Sequence, residues 1–378
     1  MKEHGSIEGK EKTRWRVRET EVKSFAYGRD SNYLDYGHPN FSTQNQLSTF
    51  RSSFKVSQGQ KALVASYRFD KAMVSYAGAW SRIHAADSRM AEEFTTGAVN
   101  GLVGDQISPD PEPSNFQDFP AFQNGVAVIS DSGYNIHHFL WEHLPAIYLY
   151  RDIVLEHKKI LVGMSDLSPT SFSKPLLRFI GIDSEVTPLP LHSRIELIES
   201  TVVSTFPFRV YPISLVSEVV DEVLQRVSRL EPANGVQHPE VVFLSRGDRE
   251  RNRRKLVNEA DVSIHLGRRW PNLQIIRSGL QPVEQTIKSL GDCRIIVGPT
   301  GGALAHILWA KHLEHVIEIV PEEYPGATET EETSRMLGFT YHRVMAHRQG
   351  TNLTTPWTSV DHFCDIQELQ ELLATDSL

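Results

Sequence analysis

The sequence predicts an α/β fold built from two Rossmann-like halves, and three observations carry that expectation. Between residues 126 and 344, short apolar β-branched runs alternate with stretches of helical periodicity. A polar stretch with two prolines and a glycine, Glu231 to Pro239, divides the alternation in two. Finally, 378 residues, 40% of them hydrophobic, are enough to bury the cores of two domains.

The elements follow in order. Residues 1–60 are rich in Ser, Gln, Asn and Gly and lack periodicity, which reads as a mostly irregular polar arm. Ala62 to about His84 reads as a small β-meander, and Gly97 to Pro120 as a long loop. The first alternation then gives a strand at Val126–Ile129, a helix from Asn135 to about Glu156 and a strand at Lys159–Val162. A helix at Ser171–Phe179, a strand at Glu196–Ser204 and a helix at Ser214–Leu230 continue it. The last of these carries Leu215, Val219, Val223 and Val227 on one stripe.

The second alternation reads as strand Val241–Leu244, a helix from about Asn258 to Leu266, strand Leu273–Ile276 and helix Pro282–Leu290. A strand–turn–helix–strand unit follows: Ile295–Val297, the turn Gly298–Gly302, Ala303–Ala310 and Val316–Val320. A strand near Tyr341–Val344 and an acidic helix from about Asp361 to Leu373 close the chain. That helix is expected to cross back onto the first domain. The expected domains are therefore 61–232 and 233–350, with an arm at 1–60 and a loop and helix at 351–378 packing on the body.

Charge and composition narrow the function. A net charge of −8, with 39 basic and 47 acidic residues spread along the chain, argues against nucleic acid as a general partner. Two cysteines, Cys293 and Cys364, make no disulfide framework. No apolar run is long enough to span a membrane, and the first residues are too charged for a secretory signal, so a cytoplasmic protein is expected.

Four clusters could carry chemistry. The glycine turn would present the N–H groups of Gly301, Gly302 and Ala303 at a helix start, with Thr300 as capping hydroxyl, a place that favours a phosphate. No dinucleotide or Walker spacing accompanies it, and such turns often serve only to pack a helix on a sheet. Asn135, His138 and Glu142 share a helix face at spacings of three and four, while Ile136, Leu140, Leu144 and Ile147 face the core. A His oriented by a carboxylate makes a general base near neutral pH, and a solvated face with a local ion pair is the alternative. His137 and His143 should point away from that face, so a metal-dependent hydrolase is the weaker reading of the cluster.

Arg246 follows the strand that ends the run Val241–Leu244 and precedes Arg251, Arg253, Arg254 and Lys255. Planar guanidinium forks suit a diphosphate, although a charge run is usually a solvated face. Arg246 stands out because ligands of open sheets sit beyond the carboxyl ends of strands. Asn258 reads as the N-cap of the next helix. Glu284 and Gln285 open another helix, and Glu318 lies near a strand end, where a carboxylate can accept from two neighbouring hydroxyls.

In this order and spacing the clusters resemble glycosyltransferase family 61, which includes bacterial polysaccharide, plant xylan-decorating and extracellular O-linked N-acetylglucosamine transferases. The family's N-x-x-H-[FW] helix ending in Leu-Pro is matched by Asn135, His138, Phe139, Leu144 and Pro145. Its strand ending in Ser-Arg, with a turn into Asn-Glu, is matched by Ser245, Arg246, Arg254, Asn258 and Glu259. Glu284 and Gln285 come next, then Gly298 to Leu304 for G-x-H-G-A-x-L, then Glu318 and Pro321. Thr300 stands where the family usually has His, and Gly302 where it has Ala.

The resemblance implies a GT-B architecture, two domains facing a cleft, the first presenting the acceptor and the second holding a nucleotide sugar. It implies inverting transfer without an essential metal or cofactor, from a UDP-linked sugar to a hydroxyl of a glycan, lipid-linked or small-molecule acceptor, in polysaccharide or glycoconjugate biosynthesis. His138 with Glu142 would be the base. Asn135, Ser245, Arg246, Arg254, Glu284, Gln285, Thr300, Gly301, Gly302 and Glu318 would bind the donor, with Arg246, Arg254 and the glycine amides on the diphosphate and Glu318 on the ribose. A non-catalytic member that binds nucleotide or glycan is the alternative, motivated by Thr300.

Overall fold

The β-branched runs assemble into two sheets. The computed structural model describes residues 17–26, 61–76, 81–84, 116–128, 135–163, 172–190, 193–203, 205, 212–230, 239–246, 255–277, 279–324, 326–350, 360–375 and 378. The first sheet contains β1 (Val17–Ala26), β2 (Lys61–Tyr76), β3 (Ser81–His84), β4 (Gln117–Gln123), β5 (Val126–Val128), β6 (Lys159–Gly163), β7 (Glu185–Leu189) and β8 (Ser193–Val203). Its order is β1-β2-β8-β5-β6-β7, with β3 beside β2 and β4 beside β8. Strands β8, β5, β6 and β7 are parallel, and β1 to β3 extend the sheet with antiparallel pairs.

The second sheet contains β9 (Val241–Ser245), β10 (Gln274–Arg277), β11 (Ile295–Pro299), β12 (His315–Pro321), β13 (Thr340–Arg348) and β14 (His362–Cys364). It runs β10-β9-β11-β12-β13-β14 and is parallel except at β14. Alternate residues of these strands are buried on opposite faces. Val242, Leu244, Ile296 and Val316 join one cluster, whereas Val241, Phe243, Ile295, Val297, Ile317 and Ile319 join another. The first cluster also takes in Val126, Phe139, Leu140 and Ile160 from the first half, so the two sheets share one apolar core.

Helices fill both sides. On the first half lie α1 (Ile136–His138), a π-helical turn (Phe139–His143), α2 (Leu144–Leu149), α3 (Arg151–His157), α4 (Ser173–Phe179) and α5 (Ile213–Ser228). The stripe Leu215, Val219, Val223 and Val227 of α5 is buried as its spacing requires. On the second half lie α6 (Glu259–Arg269), α7 (Val283–Leu290), a 3-10 helix (Gly302–Trp309), α8 (Glu329–Leu337) and α9 (Ile366–Leu373). Helix α7 packs against α4 and α5, and the 3-10 helix against α1, joining the halves. No described helix is long and apolar enough to cross a membrane.

Several expectations are corrected. Part of the polar arm, Val17–Ala26, is a strand paired with β2, and the expected meander is one 16-residue strand followed by the short β3. Gln117–Pro120 belongs to β4 rather than a loop. The continuous helix from Asn135 is broken twice. Pro145 has no N–H for the carbonyl of Trp141 and its ring would crowd that carbonyl, so the preceding turn widens and Leu144 bonds back to Phe139. Tyr150 then leaves helical angles. The unit after the glycine turn is a 3-10 helix, not an α-helix.

Among the described residues the last helix packs on the second half rather than crossing to the first. Leu369 and Leu373 of α9 enter the cluster formed by Val262, Leu266, Ile317 and Val344, so it packs on α6 and β13. Asn258 caps nothing with its side chain. It donates to the Cys364 carbonyl at 3.0 Å and accepts from the Cys364 N–H at 2.9 Å, tying β14 in place. Most of the linker 231–239, the rest of residues 1–60 and most of the loop 97–120 lie outside the described residues. Because Leu369 is fully buried, Leu369→Ala should cost about 3 kcal/mol in denaturant unfolding. Deleting residues 361–378 should destabilise the chain further and broaden its transition.

Candidate active site

Both sheets place polar residues where their direction of build reverses. In the second sheet β10 lies on one side of β9 and β11 on the other, so the carboxyl ends of β9 and β11 bound a crevice. Arg246 follows β9, and Thr300, Gly301 and Gly302 follow β11. In the first sheet β5 sits between β8 and β6, and α1 is the first described element after β5. His138 is thus at the corresponding place of the other half.

Asn135 starts α1: its side chain accepts the His137 N–H at 2.9 Å. Nδ1 of His138 stands 2.8 Å from Oε1 of Glu142, across the π turn, with the imidazole 16% and the carboxylate 5% exposed. Burial raises the Glu142 carboxyl above its usual range, the His138 imidazole opposes that, and Glu329 pushes in the same direction as burial. His137 is buried beside Trp141, and His143 stacks on Phe139 while its Nδ1 donates to the His138 carbonyl at 3.1 Å. Burial lowers the His143 pKa to about 4, which keeps it neutral. Among the described residues no three His, Cys, Asp or Glu side chains converge as metal ligands.

The glycine turn is shaped by two side chains. Arg246 donates from Nη1 to the Thr300 carbonyl at 2.7 Å and lies over Gly301, where a Cβ would come within 2.7 Å of the same nitrogen. Gly301 has φ +147°, a conformation side chains rarely adopt, so glycine is required twice over. A Cβ on Gly302 would meet Asn135 Oδ1 at 2.4 Å. The contact joins the helix of His138 to the turn beside Arg246. Gly301, Gly302 and Ala303 stay partly exposed.

Thr300 does not cap the following helix. Its N–H and hydroxyl both donate to the Ile319 carbonyl, at 2.9 and 3.2 Å, turning the side chain into the sheet. Ser245 is also committed, donating to Glu259 at 2.6 Å. Glu318 is fully buried rather than open at the strand end. Thr328 and Tyr341 both donate to its Oε2, the latter at 2.8 Å, and burial still lifts its pKa to about 7. Glu284 lies in the first turn of α7 with its Oε2 buried, and Gln285 is exposed; neither is brought against the turn by a hydrogen bond in the structure. Arg254 and most of the basic run lie outside the described residues.

Three positions were missed in the sequence. Thr328 caps α8 by accepting from the Glu331 N–H and also donates to Glu318. Glu329 accepts from the Tyr324 hydroxyl at 2.9 Å, is partly exposed, and acts electrostatically on both Glu142 and Glu318. Tyr341 completes the set. The readable signal was Thr328-x-x-Glu331, a capping box.

The family model described as Glycosyltransferase 61 matches residues 136–317. This region is a glycosyltransferase family 61 domain. No curated protein matches the chain. The family 61 domain begins in α1 and ends in β12, so it holds His138, Glu142, Arg246 and the glycine turn, while Glu318 and Glu329 lie just beyond it. The family is one of glycosyltransferases, whose substrates are a sugar donor and an acceptor.

Glu318 supplies a pH prediction. Its folded pKa is raised, so its contribution to stability is fully present below about 4.5 and is lost as pH rises through about 7. Relative to the parent, Glu318→Gln should therefore gain stability between pH 5 and pH 8, by up to about 3 kcal/mol. Thermal melts across that range measure it, and a constant difference would contradict the burial of an ionisable carboxyl.

Proposed function

We propose that the chain is an inverting, metal-independent GT-B type glycosyltransferase that takes a UDP-linked sugar and passes it to a hydroxyl of a glycan, lipid-linked or small-molecule acceptor. What supports this most is the Asn135–Gly302 contact, which brings the His138–Glu142 pair beside the turn covered by Arg246. The family 61 domain gives the chemistry its class.

In this reading Nδ1 of His138 is committed to Glu142, and Nε2 takes the proton of the acceptor hydroxyl. The freed oxygen attacks the anomeric carbon, and the bond from that carbon to the diphosphate oxygen breaks with its electron pair leaving on the nucleoside diphosphate. Arg246 and the amides of Gly301 and Gly302 meet the charge that develops there. Glu142 offsets the imidazolium. Arg254, Glu284 and Gln285 belong to the donor side of the cleft, and Glu329 replaces Glu318 as the carboxylate open enough to meet a hydroxyl of the donor.

A panel of nucleotides and nucleotide sugars in thermal-shift assays, with and without chelator, tests the donor. UDP at a hundred times its dissociation constant should add about 2.7 kcal/mol of stability, unaffected by chelation and lost in Arg246→Ala. His138→Ala should bind UDP normally and lose about 10²- to 10⁴-fold in transfer or donor hydrolysis. Binding without turnover on any acceptor, and without hydrolysis, would favour the non-catalytic alternative.

A further inference from the structure

We propose that Asn135 is a positioning residue that couples the glycine turn to the base, and that Gly302 is glycine to give it room. The coupling presupposes the donor site proposed above; the contact itself does not. Asn135 Oδ1 is 2.4 Å from where a Cβ on Gly302 would stand, with Asn135 Cγ at 3.3 Å and Ile136 Cγ2 at 3.4 Å. Gly302 is not among the residues with positive φ, so its backbone would accept alanine. Space, not conformation, demands glycine here.

Asn135 has little freedom to yield. Its Oδ1 accepts the His137 N–H at 2.9 Å and its backbone carbonyl accepts the Phe139 N–H at 2.9 Å, so both bonds that start α1 leave from this one residue. Withdrawing Oδ1 from Gly302 means giving up the cap three residues before His138. On the other side, Gly302 is bonded to Gly301, over which Arg246 lies. An anion that draws the Arg246 guanidinium from the Thr300 carbonyl moves a turn that is already in contact with Asn135. His138 receives that displacement through the first turn of its own helix.

The contact also crosses between the halves. Asn135 belongs to the element that follows β5 of the first sheet, Gly302 to the unit that follows β11 of the second. Donor occupancy on one sheet can thereby set the base on the other.

Three variants test this: Gly302→Ala, Asn135→Ser and the double substitution. Serine caps helices as well as asparagine, but its oxygen sits on Cβ, which clears space for a methyl group at 302. In thermal unfolding, which needs no ligand, Gly302→Ala should lower the midpoint by about 2 °C and the double variant should recover that loss. In ¹⁵N-histidine spectra, with His138 assigned by its disappearance in His138→Gln, UDP should shift the His138 ring signals of the parent. The shift should fall by more than half in Gly302→Ala and return in the double variant.

Additive thermal effects of the two substitutions would overturn the steric pairing. UDP binding that leaves His138 unmoved, or moves it equally in all variants, would overturn the coupling alone. No UDP-induced change anywhere in the protein would overturn the donor reading and the coupling with it, and the thermal cycle would still decide the contact.

Discussion

The glycine turn is the constraint on which the site depends, because two side chains occupy the space where it has none. Thr300 gives both its N–H and its hydroxyl to the single carbonyl of Ile319, which fixes the plane of the last peptide before the turn. The Thr300 carbonyl is then left to accept from Arg246, and the guanidinium rests where a Cβ of Gly301 would be. Asn135 fills the matching space at Gly302 from the opposite half. A methyl group at either glycine would break a hydrogen bond as well as a contact. The glycines thus serve close approach of protein side chains, and one edge of the turn remains exposed.

Buried carboxyls shape the electrostatics around that turn. Glu142 and Glu318 are both buried, both are pushed toward the neutral form by loss of water, and Glu329 adds to that push on each. Were all three ionised, a diphosphate at the turn would meet three negative charges. With Glu318 pushed toward its neutral form by burial and hydrogen-bonded by Thr328 and Tyr341, less of that charge is present. The same carboxyl holds Thr328, which caps the helix bearing Glu329. Glu318 therefore acts on the site by positioning α8, a role consistent with its place beneath the surface.

The parts legible in the sequence are those with a strong local pattern. The β-branched runs Val241–Leu244 and Ile295–Val297 became β9 and β11 nearly as read, and the stripe of α5 was buried on the expected side. Strand β7 was missed because Pro188 and its short length give no strand pattern, and α8 because Glu329 to Ser334 carry no apolar periodicity although Thr330 to Ser334 are buried. In the site, the spacing of His138 and Glu142 and the strand-end place of Arg246 were readable. The partners of Ser245, Asn258 and Thr300 were not, since each bond spans a distance in sequence that no periodicity reports. Glu318 was misjudged for a related reason. In a parallel strand buried on both faces, alternation does not tell which side meets a ligand.

The π turn lies between the Asn135 cap and the rest of the buried helix. Phe139, Leu140, Trp141 and Leu144 are buried, so the helix beyond His138 is held fast. The three residues of α1 lead directly into the widened turn Phe139–His143 that Pro145 requires, and an i to i−5 bond from Leu144 closes that turn. The His138–Glu142 pair spans the widened segment, and His143 donates to the His138 carbonyl from the same segment. In the proposed coupling, the His138–Glu142 hydrogen bond is a contact by which α1 meets the packed turn that follows it.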